Sequence, residues 1–112
     1  MKKISIYFSD DSELAEYESV SKEYRNDIFV DVSGEVFNIR AYTILRLQQD
    51  FETEIEDEGY FSVEPNLVLV SDTSRQSICQ IIRKLYEQKY FNELKPIIIN
   101  TSNLVQVMSF EI

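Results

Sequence analysis

The sequence predicts a single α+β domain spanning residues 1–112, with a mixed β-sheet and two main helices packed on one of its faces. Three observations predict this class. Apolar residues alternate with polar ones in several short segments, and they recur every three or four residues in two longer segments. The chain is 44% apolar, which is enough for a folded core, and its 112 residues fit one domain without an internal repeat or linker.

The first strand is predicted at residues 3–8, where apolar and polar residues alternate. The following segment, residues 11–26, is polar but carries apolar residues at helical spacing. These are Leu14, Tyr17, Val20 and Tyr24. Both a short helix and an ordered loop are compatible with this pattern.

A pair of short strands is predicted at residues 28–32 and 36–39, joined by the turn residues Ser33 and Gly34. The alternative is one long strand with a bulge at Gly34.

An amphipathic helix is predicted from about Ala41 to Glu58, because its apolar residues lie on one helical stripe. The stripe consists of Ile44, Leu47, Phe51 and Ile55. Gly59 follows, and glycine readily adopts the left-handed conformation that ends many helices. The last turn is acidic, which opposes the helix dipole at a cost of about 0.3–1 kcal/mol per charge.

The C-terminal part is predicted to form strand, helix, strand and strand. The apolar run at 67–70 is typical of a strand covered on both faces. A helix follows over about 74–90, with Thr73 and Gln76 spaced as a capping box. Asp72 and Ser74 are further candidates for its cap. Strands are then expected at 97–99 and 104–110. Strands 67–70 and 97–99 would be parallel neighbours joined by a right-handed crossover.

The composition excludes several classes of site. The chain has no histidine and one cysteine, Cys79, so it cannot supply the four nitrogen or sulfur ligands of a structural zinc site or form an internal disulfide. The residues predict no metal and no cofactor. Polar residues interrupt any signal-peptide core after Met1–Lys3, and no apolar run approaches the roughly 20 residues of a membrane span. A cytoplasmic location is therefore expected.

The negative charge is confined to one part of the chain. Residues 1–64 contain 16 acidic and 6 basic residues, a net charge of −10, whereas residues 65–112 have a net charge of +1. Two clusters carry most of it. The first cluster contains Asp10, Asp11, Glu13, Glu16 and Glu18. The second contains Asp50, Glu52, Glu54, Glu56, Asp57 and Glu58.

Two interpretations of these clusters remain open. They form either a solvated, solubilising surface or a docking surface for a basic protein. The second cluster opposes its own helix dipole, and such local conflicts often mark functional sites. Tyr60 follows it directly and is predicted to anchor a partner within the charged rim.

Catalysis and direct nucleic-acid binding are disfavoured. Cys79 has no histidine to activate it as a nucleophile. The spacing of Asp50, Glu52 and Glu54 imitates the start of an EF-hand loop, but Ile55 occupies the position that requires glycine. Basic residues are too few and too scattered for a phosphate-binding surface.

The chain resembles the small acidic immunity proteins of bacterial contact-dependent inhibition and related polymorphic toxin systems. The resemblance lies in the order of segments: the strand at 3–8, the acidic stretch from Asp10, the paired segments at 28–32 and 35–39, and the acidic helix leading through Gly59 to 67–70 and the last helix. It implies a cytoplasmic, non-enzymatic protein that binds one cognate toxin domain.

The resulting hypothesis is an immunity protein that neutralises a basic, nuclease-type toxin domain by occluding its active site or substrate groove. The alternative is a non-catalytic interaction subunit or adaptor of a larger assembly. An enzyme would instead require a cleft with convergent carboxylates. No nucleic acid or membrane is expected as a partner. A homodimer would follow if one of the C-terminal strands leaves an exposed edge.

Overall fold

The computed structural model describes residues 3–112 and comprises five strands, three α-helices and two short 3-10 helices in that range. The signal-peptide argument begins at Met1 and Lys2, which lie outside the described residues. The main elements are β1 (Lys3–Phe8), α1 (Glu13–Lys22), β2 (Tyr24–Val32), β3 (Glu35–Tyr42), α2 (Ile44–Glu58), β4 (Leu67–Leu69), α3 (Arg75–Glu87) and β5 (Val105–Glu111). The 3-10 helices are Tyr90–Glu93 and Thr101–Asn103.

The strands form one mixed sheet in the order β4-β3-β2-β1-β5, which confirms the predicted α+β class. All neighbouring strands are antiparallel except β3 and β4. The hairpin between β2 and β3 is confirmed, with Ser33 at φ 53° and Gly34 at φ 95° in its turn. Residues 13–22 are a helix, so the choice left open for this segment is settled in favour of helix.

The core lies between one face of the sheet and α3. Ile6, Val30 and Phe37 stand side by side in neighbouring strands and are buried, as are Ile78 and Ile82 of α3. Burial of such side chains contributes roughly 1.5–3 kcal/mol each. The alternation in β1 therefore results from a single covered face, with Ile4, Ile6 and Phe8 inward.

The N-terminus of α3 is capped by Ser74, whose side chain accepts a hydrogen bond from the Ser77 amide at 3.3 Å. Asp72 accepts hydrogen bonds from the hydroxyls of Ser74 and Ser77, both at 2.8 Å, and these bonds lower its pKa. The predicted candidate Ser74 is thus the cap and Thr73 is not, because the buried Thr73 hydroxyl donates to the Ser19 carbonyl oxygen of α1. Thr73, next to the cap, thus joins α3 to α1.

The predicted crossover at 67–99 is wrong. The parallel pair is β3 and β4, and the helix between them is α2. After α3 the chain runs to the opposite edge of the sheet, where β5 pairs with β1. Hydrophobic pattern alone cannot tell which strands become neighbours, because any covered strand has the same pattern.

The predicted strand at 97–99 is also wrong. A single antiparallel bridge joins Ile97 to Val36, with the Ile97 amide donating to the Val36 carbonyl oxygen at 2.7 Å. Ile98 is fully exposed. β4 itself is an edge strand and is not covered on both faces, since Leu69 remains 48% exposed. Within residues 3–112, no strand pairs with the outer side of β4, and residues 97–99 form no strand of their own.

Helix α2 differs from α3 in its packing: it contributes no buried residue and lies against the other face of the sheet. Ala41 points into the core beneath α3, so the next residue, Tyr42, points to the opposite face. The Tyr42 ring contacts that of Tyr24 at 5.5 Å between centroids, and the Arg46 guanidinium of α2 lies 4.3 Å from the Tyr24 ring centroid. The two long helices therefore lie on opposite faces of the sheet, and the prediction that both pack on one face is wrong. An amphipathic pattern shows that a helix has an apolar face, not which face of the sheet it meets.

Candidate functional site

Helix α2 is anchored to the domain mainly through its first two turns. Thr43 caps it by accepting a hydrogen bond from the Arg46 amide at 3.3 Å. Arg46 stacks on Tyr24, pairs with Asp50 at 3.1 Å and donates to the Lys22 carbonyl oxygen at 3.4 Å. These contacts fix the direction of the helix and leave its later turns at the surface.

The apolar stripe of α2 is largely exposed. Ile44 is 63% exposed, Phe51 48% and Ile55 39%. The Phe51 ring makes an edge contact with the half-buried Phe61 at 6.4 Å between centroids. The side facing the domain instead carries Arg46, Asp50 and Leu47, because the first turn is held by Tyr24 rather than by an apolar groove.

The acidic residues of the second cluster occupy the remaining surface of α2. Asp50 is half-buried through its pair with Arg46, and Glu52 accepts a hydrogen bond from Gln48 at 3.3 Å. The other four are exposed and form no ion pair within residues 3–112. They are Glu54, Glu56, Asp57 and Glu58. Their carboxylates are therefore free to meet an external cation.

The predicted end of the helix is confirmed. Gly59 adopts φ 82°, and its amide donates to the Ile55 carbonyl oxygen at 3.0 Å. Tyr60 comes immediately after this turn and is 65% exposed. The structure thus places an exposed aromatic ring at the acidic end of α2, next in the chain to the half-buried Phe61.

The acidic last turn should lower the stability of the free protein. Replacing Glu58 with lysine is expected to raise the free energy of unfolding by about 0.3–1 kcal/mol, because a cation interacts favourably with a helix C-terminus. It also removes the like-charge pair with Glu54, four residues earlier. Urea denaturation monitored by circular dichroism measures the change.

The same substitution at Glu13, in the first turn of α1, provides the matched control. There the acid favours the helix dipole, so Glu13→Lys should lower stability by a similar amount. A change in stability of the same sign for Glu58→Lys and Glu13→Lys would contradict the dipole explanation.

The first acidic cluster is partly used inside the protein. Glu16 pairs with the buried Arg25 and accepts hydrogen bonds from the Arg75 amide at 3.0 and 3.2 Å. Asp11 pairs with the Arg75 side chain. Asp10 and Glu13 are exposed, and hydrogen bonds from Ser12 lower the pKa of Asp10. Asp11 and Glu16 thus hold α1 against β2 and the start of α3.

The two acidic clusters lie on different helices that contact different parts of the domain. Glu16 of α1 pairs with Arg25 and meets the start of α3, whereas α2 is held by Tyr24. Helices α1 and α2 meet where α1 ends and α2 begins, as the contact between Arg46 and the Lys22 carbonyl shows. The first cluster lies mostly at the far end of α1, and the second extends to the far end of α2. At about 1.5 Å of rise per residue, the two helices are about 15 and 22 Å long, and the clusters lie at their remote ends.

Other features of the described residues offer less specific chemistry. A cleft of about 260 Å³ lies between α2 and the sheet, but its one arginine, Arg40, already pairs with Glu64 at 3.1 Å. Burial raises the pKa of the Cys79 thiol, which disfavours the reactive thiolate. In residues 3–112 no cluster of three or more metal-ligating side chains occurs, and no helix there is long and apolar enough to cross a membrane.

The most distinctive surface is therefore α2 with its exposed stripe, four unpaired acids and Tyr60. No protein-family model, no curated protein and no solved structure matches this chain. The similarity to immunity proteins remains a hypothesis based on the pattern of residues. We call the surface formed by Phe51, Ile55, Tyr60 and these four acids the α2 surface.

Sequence reasoning identified the acids and Tyr60, and it placed Phe51 and Ile55 on the apolar stripe of the helix without assigning them to a partner surface. An amphipathic pattern shows that a helix has an apolar face, not that the domain covers it. The same holds for α1, where Leu14 is 65% and Tyr17 71% exposed while Glu16 faces inward. One feature of the sequence did indicate which end of α2 contacts the domain. Arg46, the only basic residue of α2, lies in its first turn.

Proposed function

We propose that this chain is a non-enzymatic immunity protein that binds a cognate toxin domain through the α2 surface and neutralises it. The toxin domain would be basic and nuclease-like, and the complex would form in the cytoplasm. The observation that carries the proposal is the combination, on one exposed helix, of an uncovered apolar stripe with four acids that have no partner in residues 3–112. The second candidate, an adaptor in a larger assembly, is an outcome of the test below.

The exposed apolar residues supply a reason for tight binding. Amphipathic helices dock into grooves through side chains at i, i+4, i+7 and i+11, and Ile44, Phe51 and Ile55 follow this spacing with Leu47 half-buried beside them. Aromatic residues such as Phe51 and Tyr60 frequently dominate binding energy when a partner buries them. Acids around such a stripe would keep it soluble before the partner arrives.

The acids supply a reason for fast and selective binding. Clustered charge of one sign can raise association rates with an oppositely charged partner by about 10- to 1000-fold. A nuclease groove is positively charged because it holds phosphates, and a row of carboxylates on a helix presents negative charge to the same groove. An inhibitor that occupies the groove excludes the nucleic acid without performing any chemistry itself.

The test uses the protein encoded by the adjacent upstream reading frame, with its C-terminal domain expressed in a bacterial host. We expect this domain to stop growth unless the present chain is co-expressed. A triple variant with Glu54→Lys, Glu56→Lys and Glu58→Lys should fail to restore growth. Its association rate constant with the purified domain should fall by about 10- to 1000-fold, with a weaker dependence on salt.

A second triple variant has the same net charge as the first triple variant and serves as the control. Glu35→Lys, Glu87→Lys and Glu93→Lys reverse three exposed acids outside α2, and this variant should protect as well as the wild type. If both variants bound the toxin domain with the same association rate constant, independent of salt, the result would contradict the role of the α2 surface. A stable complex with a domain that never impairs growth would favour the adaptor.

A further inference from the structure

The outer edge of β5 is the longest open edge of the sheet. β5 lies at the end of the strand order, and no strand in residues 3–112 pairs with its outer side. Its seven residues, Val105–Glu111, contain one charged side chain, Glu111. A row of unpaired amide and carbonyl groups on such a strand is a template for another strand, and charged residues normally protect it.

The opposite edge of the sheet is less available. β4 has three residues, and Ile97 bridges Val36 farther along the same side of β3. β5 contains a bulge at Val107, but the four residues Met108–Glu111 pair in regular register with Lys3–Ile6. The outward-facing amide and carbonyl groups of these four residues can therefore form a regular hydrogen-bonded ladder with another strand.

We propose that two copies of this chain pair through their β5 edges and form an antiparallel, ten-stranded sheet across a two-fold axis. An antiparallel strand pair is self-complementary, so each copy offers the same groups to the other. The pairing would lie beside Met108, which is 45% exposed in the single chain. A second copy would thus account for both the unpaired edge of β5 and the exposed apolar side chain on it.

The distribution of charge favours a second copy as the occupant. Each chain has a net charge of −9, which would oppose association if the acidic surfaces met. β5 belongs to residues 65–112, whose net charge is +1, and α2 packs beside β3 and β4 at the other end of the sheet. With strands about 4.8 Å apart, the two α2 helices would lie about 35–40 Å from each other.

That distance greatly exceeds the screening length of about 8 Å at physiological salt, so the acidic helices would not repel each other appreciably. Both α2 surfaces would also remain free and point away from the axis. The dimer would then carry two separate partner-binding sites. A short strand pair is smaller than a standard interface of about 800 Å² per partner, so the association should depend on concentration.

Sedimentation equilibrium of the purified chain, without any partner, tests the proposal. We expect a monomer–dimer equilibrium over a concentration series, and Met108→Lys should weaken it at least 10-fold by placing a charge at the edge. Ile98→Lys adds the same charge to a fully exposed isoleucine elsewhere and should leave it unchanged. Circular dichroism confirms that both variants are folded.

Hydrogen exchange gives an independent readout. Amides of β5 should gain protection as the protein concentration rises, whereas those of α2 should not. A wild-type chain that is monomeric throughout the series overturns the proposal, as does a dimer that persists in Met108→Lys. Growth protection by a monomeric Met108→Lys variant would leave the proposed immunity function intact, so the two proposals fail separately.

Discussion

Replacing Arg25 with alanine is expected to lower the free energy of unfolding by about 3–5 kcal/mol, as in other proteins where a buried ion pair loses one partner. Arg25 is 2% exposed, pairs with Glu16, donates to the Thr73 carbonyl oxygen at 3.2 Å and lies 4.3 Å from the Phe8 ring centroid. The substitution removes all of these contacts and leaves Glu16 without its cation. Urea denaturation at 25 °C measures the loss.

A double-mutant cycle with Glu16→Gln distinguishes the ion pair from simple packing. In the Glu16→Gln background, Arg25→Met should be less destabilising than in the wild type, because the apolar stem remains and no carboxylate is left unpaired. The glutamine oxygen can still accept from the Arg75 amide. A loss below about 1 kcal/mol for Arg25→Ala alone would show that the pair contributes little.

Replacing Ile82 with alanine is expected to lower the free energy of unfolding by about 2–5 kcal/mol. Ile82 is 1% exposed and lies in the core between α3 and the sheet. Its removal creates a cavity that neighbouring side chains fill only in part. Urea denaturation again measures the change, from the midpoint and the slope of the unfolding transition.

Ile98→Ala is the matched control, because it removes the same atoms from a fully exposed position. Its effect should lie within about 0.5 kcal/mol. A large effect at Ile98 would mean that the 97–99 segment packs as a true strand, as the sequence predicted. A small effect at Ile82 would mean that α3 is not the main cover of the sheet.

The contrast between these two isoleucines shows how far pattern reasoning reaches. Both occur in apolar segments, and both were assigned to regular elements from their neighbours. The helical repeat around Ile82, from Ile78 to Tyr86, extends over about two and a half turns. It predicted an apolar face of the helix, and Ile78 and Ile82 on that face are buried. The run at 97–99 is three residues long, and a short run does not indicate whether a partner strand exists to cover it.

The two acidic clusters show the same limit for the candidate site. Both clusters are rich in carboxylates, yet Asp11 and Glu16 contact Arg75, which lies 64 and 59 residues later in the chain. Glu16 also pairs with the buried Arg25. Arg25 lies beyond a register shift in β2, between Arg25 and Ile28, so its inward direction does not follow from the alternation of the later residues. Long-range ion pairs of this kind carry no local signal.

Local properties of the sequence determined the elements of this protein. Alternation specified β1 and the hairpin, helical spacing specified α2 and α3, and Gly59 specified where α2 ends, because each depends on backbone preferences and periodicity over a few residues. Only the tertiary structure decided which faces are covered. It placed α2 on the far side of the sheet, used Asp11 and Glu16 of the first acidic cluster internally and left the β5 edge open. Those outcomes depend on contacts between different elements of the fold, such as Arg46 with Tyr24 and Arg75 with Glu16.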